Sequence, residues 1–141
     1  MPIPPEQLEA FLRQPEIAVL ATVGAGERPH AVPVWFLWDD GAAYFTTARR
    51  SKKWRNIERN ARVVLCINGM TPPHPAAVIE GTAAEADTPY GLLALRIAQR
   101  YLGEREGQRW IDGLGPNDSS LSVAVRITPE RVLSWGSSTE E

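Results

Sequence analysis

EIAVLATVGAGERPHAVPVWFLWDDGAAYFTT, residues 16–47, holds three strand-like runs with no helix between them. The first, 16–23, is nearly all apolar and rich in β-formers, the pattern of a strand buried on both faces. Gly24 to Glu27 supply turn chemistry. A second strand follows at about 29–38, and Asp39-Asp40-Gly41 closes a tight hairpin into a third at 42–47. Parallel strands need long crossover connections, usually helical, so this succession argues against a doubly wound βαβ sheet and for antiparallel pairing.

The flanking sequence continues the pattern. Pro4 and Pro5 lead into a short amphipathic helix with Leu8, Phe11 and Leu12 on one stripe, and Pro15 ends it. Residues 51–59 switch to helical spacing, with Ser51 as N-cap and Trp54 and Ile57 facing inward. A fourth strand is expected at 61–68, then a Pro-rich loop at 71–75. The fifth, 76–86, has Gly81 as a bulge or close-approach point. Thr88-Pro89 opens a helix to about Leu102, with Gly103 as its stop, and 104–113 adds a helical turn or two. The sixth strand, 121–128, alternates cleanly, and a Pro129-Glu130 turn leads to a terminal stretch at 131–136. The expected architecture is a single domain over residues 1–141, mainly β with capping helices: a small, six-stranded, closed or nearly closed antiparallel barrel.

Composition narrows the partners. A net charge of −2 provides no global basic field for nucleic acid, so any anion site is local. No apolar run is long enough for a signal peptide or a membrane span, and a cytoplasmic location is expected. Cys66 is the only cysteine, which excludes an internal disulfide and a cysteine-built metal cluster. It reads as a small buried apolar residue. His30 and His74 have no ligand-spaced carboxylates nearby, so no metal is expected. Arg96 and Arg100, one turn apart on the long helix, are expected to face solvent.

The strongest chemical signal is ARRSKKWRN, residues 48–56, directly after the strand residues Thr46 and Thr47. Arg49, Arg50, Lys52, Lys53 and Arg55 put five cations into seven residues at a helix start. Cations oppose the helix dipole there, whereas an anion is favoured by both the dipole and the free N–H groups. A bound phosphate or carboxylate resolves the conflict; a solvated basic face is the competing reading. The second signal is HAVPVWF, residues 30–36, where Pro33 removes a ladder donor from an apolar strand. Such a strand sits at an edge or bulge and leaves backbone groups for a flat ring, or it is simply an edge strand.

The order LATV, G-x-x-P-H-x-V-P-V-W-F, D-D-G, Y-F-T-T and S-K-K-W-R-N-I-E-R-N-A-R-V resembles the pyridoxamine-phosphate-oxidase-like split-barrel superfamily. More narrowly it resembles the deazaflavin (coenzyme F420)-dependent branch, the B-type flavin/deazaflavin oxidoreductases. The likeness runs from about residue 16 to 86 and resumes from Ile127 to Trp135. It implies a split barrel working as a homodimer, with the cofactor across the interface. It implies Thr46, Thr47, Ser51, Lys52 and Lys53 at the phosphate, with Arg55 and Asn56 as further candidates. The segment Val32, Pro33, Val34 and Trp35 would run beside the ring, and Trp135 would approach from the second chain. The arginine-bearing C-terminal segment of the oxidases proper has no counterpart, so vitamin B6 oxidation is not expected. No histidine follows His74, which disfavours the haem-degrading relatives.

The resemblance thus implies hydride transfer between coenzyme F420 and a small electrophilic acceptor, such as a conjugated double bond or imine. An FMN-dependent oxidoreductase of the same fold and a non-catalytic flavin or deazaflavin carrier are the alternatives. The cation cluster exceeds what one phosphate requires and would suit the polyanionic tail of the deazaflavin.

Overall fold

The computed structural model describes residues 2–115 and 120–136. Among these described residues seven strands form one sheet: β1 (Ala18–Val23), β2 (Pro29–Val34), β3 (Leu37–Asp39), β4 (Ala42–Ala48), β5 (Arg62–Asn68), β6 (Ala76–Glu85) and β7 (Ser122–Trp135). Every pairing is antiparallel, in the order β2-β1-β5-β6-β7-β4-β3. The helices are α1 (Pro5–Leu12), α2 (Lys52–Arg59), α3 (Tyr90–Leu102) and α4 (Glu104–Gly113). The two edge strands are consecutive in sequence, separated by Trp35 and Phe36 alone. A sheet whose opposite edges are tied by two residues must curl round on itself. The result is a barrel split along the β2/β3 seam.

Seven strands replace the expected six because the run at 29–38 breaks at that seam. Before it the chain pairs with β1, and after it with β4. The backbone that leaves the ladder still needs partners. Tyr101 of α3 provides them: its hydroxyl accepts from Phe36 N–H at 3.0 Å and donates to the Glu16 carbonyl at 2.8 Å. The terminal stretch at 131–136 is the continuation of β7 past Pro129. A register shift at Glu80/Gly81 sets Gly81 opposite Pro129, the bulge expected at that glycine. A Cβ on Gly81 would collide with the Thr128 carbonyl oxygen.

Leu20, Phe45, Leu65, Ile79, Val125 and Ile127 are fully buried inside the barrel. Trp54 and Ile57 of α2 close the end where β1 finishes, beside Thr22. Phe11 and Leu12 of α1 close the opposite end, near Gly69. Helix α3 lies outside, packing Leu93 and Ile97 on Leu37 and Ala124. Helix α4 spans ten residues, longer than a turn or two. It lies tight on α3 at Gly107, where a Cβ would come within 2.5 Å of the Gln99 backbone nitrogen.

Sequence expectations for β1, Arg100 and Cys66 are overturned: β1 is not buried on both faces, since Val19 on its outer face is 42% exposed. Arg100 faces inward, donating to the carbonyls of Leu12, Arg13 and Gln14 at 3.0, 2.6 and 2.5 Å, and lies 4.8 Å over the Phe36 ring. It serves as a cap for the end of α1, supplied from another helix. Cys66 is exposed, because its position in β5 points to the outer face. There it belongs to an apolar cross-strand row, Pro33, Val19, Cys66, Val78 and Leu133, running across β2, β1, β5, β6 and β7. Among the described residues no helix is long and apolar enough to cross a membrane.

Candidate functional site

The start of α2 concentrates donors. Ser51 caps it, its Oγ accepting from Trp54 N–H at 3.2 Å and from the Thr47 hydroxyl at 2.9 Å. With both lone pairs engaged, the Ser51 hydroxyl keeps its own proton for an outside acceptor. Arg55 N–H bonds the Ser51 carbonyl at 3.1 Å, and the amides of Lys52 and Lys53 have no partner among the described residues. Lys53 is half-buried, with no ion pair or hydrogen bond among the described residues. Burial pushes its ammonium below the ordinary lysine pKa. Charge and three donors therefore stand on three consecutive residues, Ser51 to Lys53, with no acceptor among the described residues, an arrangement an anion completes.

The other sequence candidates scatter around this point. Thr46 is half-buried beside Ala124 of β7, and the buried Thr47 is held to Ser51. Val32, Pro33 and Val34 lie on β2, an edge strand, as the proline required. The Trp35 ring stacks on Tyr101 at 4.8 Å and meets Trp110 at 6.0 Å, so it locks the seam to the outer helices. Trp135 pairs with Ala76, next to Ser134, whose hydroxyl accepts from Ile3 N–H at 3.0 Å. That is the α1 end of the barrel, away from Lys53. Arg49 forms a two-pronged pair with Glu85 at 2.6 and 3.2 Å, which lowers the pKa of the Glu85 carboxyl.

Lys52, Arg55 and Asn56 line a cavity of about 740 Å³ between α2 and the turn after β1. Its wall also carries Gly24, Arg28, His30 and Arg59, none of them singled out by the sequence reading as site residues. Lys52, Arg55 and Arg59 fall at i, i+3 and i+7, one face of the helix, and that spacing was the available signal. Asn56 is buried and tied in place. It donates to Thr22 Oγ1 at 3.0 Å and accepts from Arg59 at 3.0 Å. No group of three or more potential metal-ligating side chains is assembled among the described residues.

This arrangement has relatives. In sequence the chain is 31% identical over 134 residues to the 5a,11a-dehydrotetracycline/5a,11a-dehydrooxytetracycline reductase of Streptomyces rimosus, covering 89% of this chain and 78% of that protein. In structure it resembles a conserved hypothetical protein of Mycobacterium tuberculosis, with a TM-score of 0.78 and 25% identity over 95% of this chain and 85% of the other. It also resembles an F420 reductase, with a TM-score of 0.70 and 26% identity over 88% of this chain and 94% of the other. The sequence model of pyridoxamine 5'-phosphate oxidase matches residues 4–136. A match spanning the barrel from α1 to the end of β7 leaves one assignment: the chain belongs to the pyridoxamine 5'-phosphate oxidase family.

Proposed function

We propose that the chain is an oxidoreductase that grips a phosphorylated flavin-type cofactor, coenzyme F420 in the first place, and serves hydride transfer to a small electrophilic acceptor. The observation that carries this reading is Lys53, a half-buried ammonium that, like the Lys52 and Lys53 amides, has no partner among the described residues and directly follows the Ser51 cap. Those groups fit a phosphate in charge and donor number. The likeness to a reductase of dehydro compounds and to an F420 reductase supports both the chemistry and the leading cofactor. When bound, the reduced cofactor supplies the hydride; the protein supplies grip, orientation and exclusion of water. Lys53, Ser51 and the α2 amides hold the phosphate. The free edge of β2 from Val32 to Val34, with Trp35 just after it, offers backbone groups to the ring, and the Trp35–Tyr101 stack keeps that edge in position.

The working form in this reading is a homodimer. Trp135 lies at the barrel end away from Lys53, so it reaches a cofactor site only in a second copy. The apolar row on the outer face offers the surface for such a pairing. The phosphate grip suits FMN equally well, and the test must separate the two. Protein is incubated with F420 or FMN, desalted and its spectrum recorded; the retained cofactor is then reduced and offered an electrophile panel. Retention of F420 with turnover supports the proposal. Retention of FMN alone replaces the cofactor, retention without turnover makes the protein a carrier, and retention of neither removes the reading.

A further inference from the structure

We propose that Trp110 and Trp35 form an aromatic shelf for the planar ring of the acceptor, which makes conjugated fused-ring compounds the preferred substrate class. That the guest is an acceptor rests on the oxidoreductase reading; that the shelf takes a planar ring does not. Helix α4 lies tight on α3 at Gly107, the one residue of its own that it buries. Its large apolar residues are left out. Trp110 is 51% exposed, and Leu114, one turn on and just past the helix, is 55% exposed. A single exposed apolar side chain is ordinary. Trp110 differs in what stands beside it.

The Trp35 and Trp110 rings lie 6.0 Å apart with their planes inclined at 45°. Aromatic pairs prefer offset stacking or a perpendicular edge-to-face contact, and this pair makes neither. The next contact is tight: Trp35 stacks on Tyr101 at 4.8 Å and 8°. Tyr101 is held in turn by its hydroxyl, bonded to the Phe36 N–H and the Glu16 carbonyl, with the Arg100 guanidinium 5.5 Å over its ring. The aromatic column is thus fixed as far as Trp35 and incomplete at Trp110. A flat ring laid there buries indole surface that the fold has already ordered, so little freedom is lost on binding. A saturated, puckered ring touches such a face at few atoms, whereas a fused planar one covers it. The shelf is also well placed. Trp35 directly follows Val34, the end of the free edge of β2, and three residues of extended chain span about 10 Å. The backbone from Val32 that is proposed to flank the cofactor ring therefore runs straight into the shelf.

The test is an NMR titration of the cofactor-free chain with 2-naphthol, with cyclohexanol as the non-planar control. Five tryptophans give five indole N–H signals, and Trp110→Leu identifies that of Trp110 by its loss. Naphthol should shift the Trp110 and Trp35 signals and leave that of the buried Trp54 in place, while cyclohexanol at the same concentration shifts none. Trp110→Leu should weaken naphthol binding about three- to tenfold, the range that aromatic contacts supply, and Trp110→Phe should restore most of it. Because Trp110 is half exposed, both variants should melt close to the wild type. In the cofactor-loaded chain Trp110→Leu should raise KM for 1,4-naphthoquinone by a similar factor, well beyond any rise for cyclohex-2-enone. Naphthol that shifts no indole signal, unweakened binding in Trp110→Leu, or equal KM increases for the two acceptors would each overturn the shelf. So would a Trp110 signal that ignores naphthol and moves on dilution of the free chain, which makes the face a protein contact. Should the chain retain no cofactor, the oxidoreductase reading fails and the naphthol titration still decides the shelf.

Discussion

Lys53 sets stability against binding. An ammonium half removed from water is favoured less in the folded chain than in the unfolded one, so it weakens the fold wherever the lysine is charged. Lys53→Met keeps the apolar stem and removes that burden. The melting temperature should stay level or rise, while cofactor affinity falls by about 1.5–3 kcal/mol, the range for hydrogen bonds to charged groups. Calorimetry on one preparation reads both, and a fall in both would make Lys53 a structural residue. The lowered pKa also predicts the pH profile. Binding needs the charged form, so affinity should be flat at neutral pH and fall as pH rises, beginning below the pKa of an ordinary lysine. In Lys53→Met that fall should disappear. Ser51 and Lys53 were legible in the sequence because capping and dipole conflict are local. Arg100 was not, because its acceptors lie 86 to 88 residues away. Removing three charged hydrogen bonds at the end of α1 should make Arg100→Ala one of the more damaging single changes on α3, costing at least about 2 kcal/mol in urea unfolding.

At the level of elements, the strands were readable wherever β-forming runs met turn residues, as in β1, β4 and β5. The seam was not, because Trp35-Phe36 is as apolar as the runs on either side. What breaks the strand there is a change of partner, decided by β1, β4 and a tyrosine 65 residues away. The same blindness explains β7, where Pro129-Glu130 reads as a turn but is absorbed by a bulge in β7 itself, with Glu130 unpaired opposite Glu80 and Gly81 of β6. Tyr101→Phe isolates the seam's polar contribution, since the ring and its stack on Trp35 are retained. The Phe36 N–H and the Glu16 carbonyl lose their partner, and about 1–3 kcal/mol of stability should go with them. Hydrogen exchange should locate the loss: the Phe36 amide should become unprotected while the β5 and β6 amides keep their order. Burial raises the pKa of the Tyr101 hydroxyl, so the unfolded chain ionises first. The tyrosine's contribution is therefore complete below about pH 10 and declines above it, a decline Tyr101→Phe should lack.

For the whole molecule, the question is what lies against the outer face of the sheet. Val19 and Leu133 are 42% and 37% exposed, in register with Pro33, Cys66 and Val78, and nothing among the described residues covers these two side chains. α3 spends its apolar stripe on the opposite flank, over β3, β4 and β7, and α4 packs on α3. If two copies meet through this row, Val19→Glu is a discriminating change. In a lone protomer the carboxylate reaches water, and such surface changes are usually within about 0.5 kcal/mol. In a dimer it would be desolvated near its symmetry mate, and an unpaired buried charge is disfavoured by several kcal/mol. Sedimentation should therefore show a dimer for the wild type, burying well over roughly 1,000 Å² in total, and a folded monomer for Val19→Glu. In the proposed dimer Trp135 would meet the cofactor across the interface, so the monomeric variant should also bind cofactor more weakly, although Lys53 and Ser51 are untouched. Trp135→Ala should reproduce the affinity loss and leave the dimer intact. A Val19→Glu protein that stays dimeric would place the interface elsewhere, and one that becomes monomeric with full cofactor affinity would confine the site to a single chain.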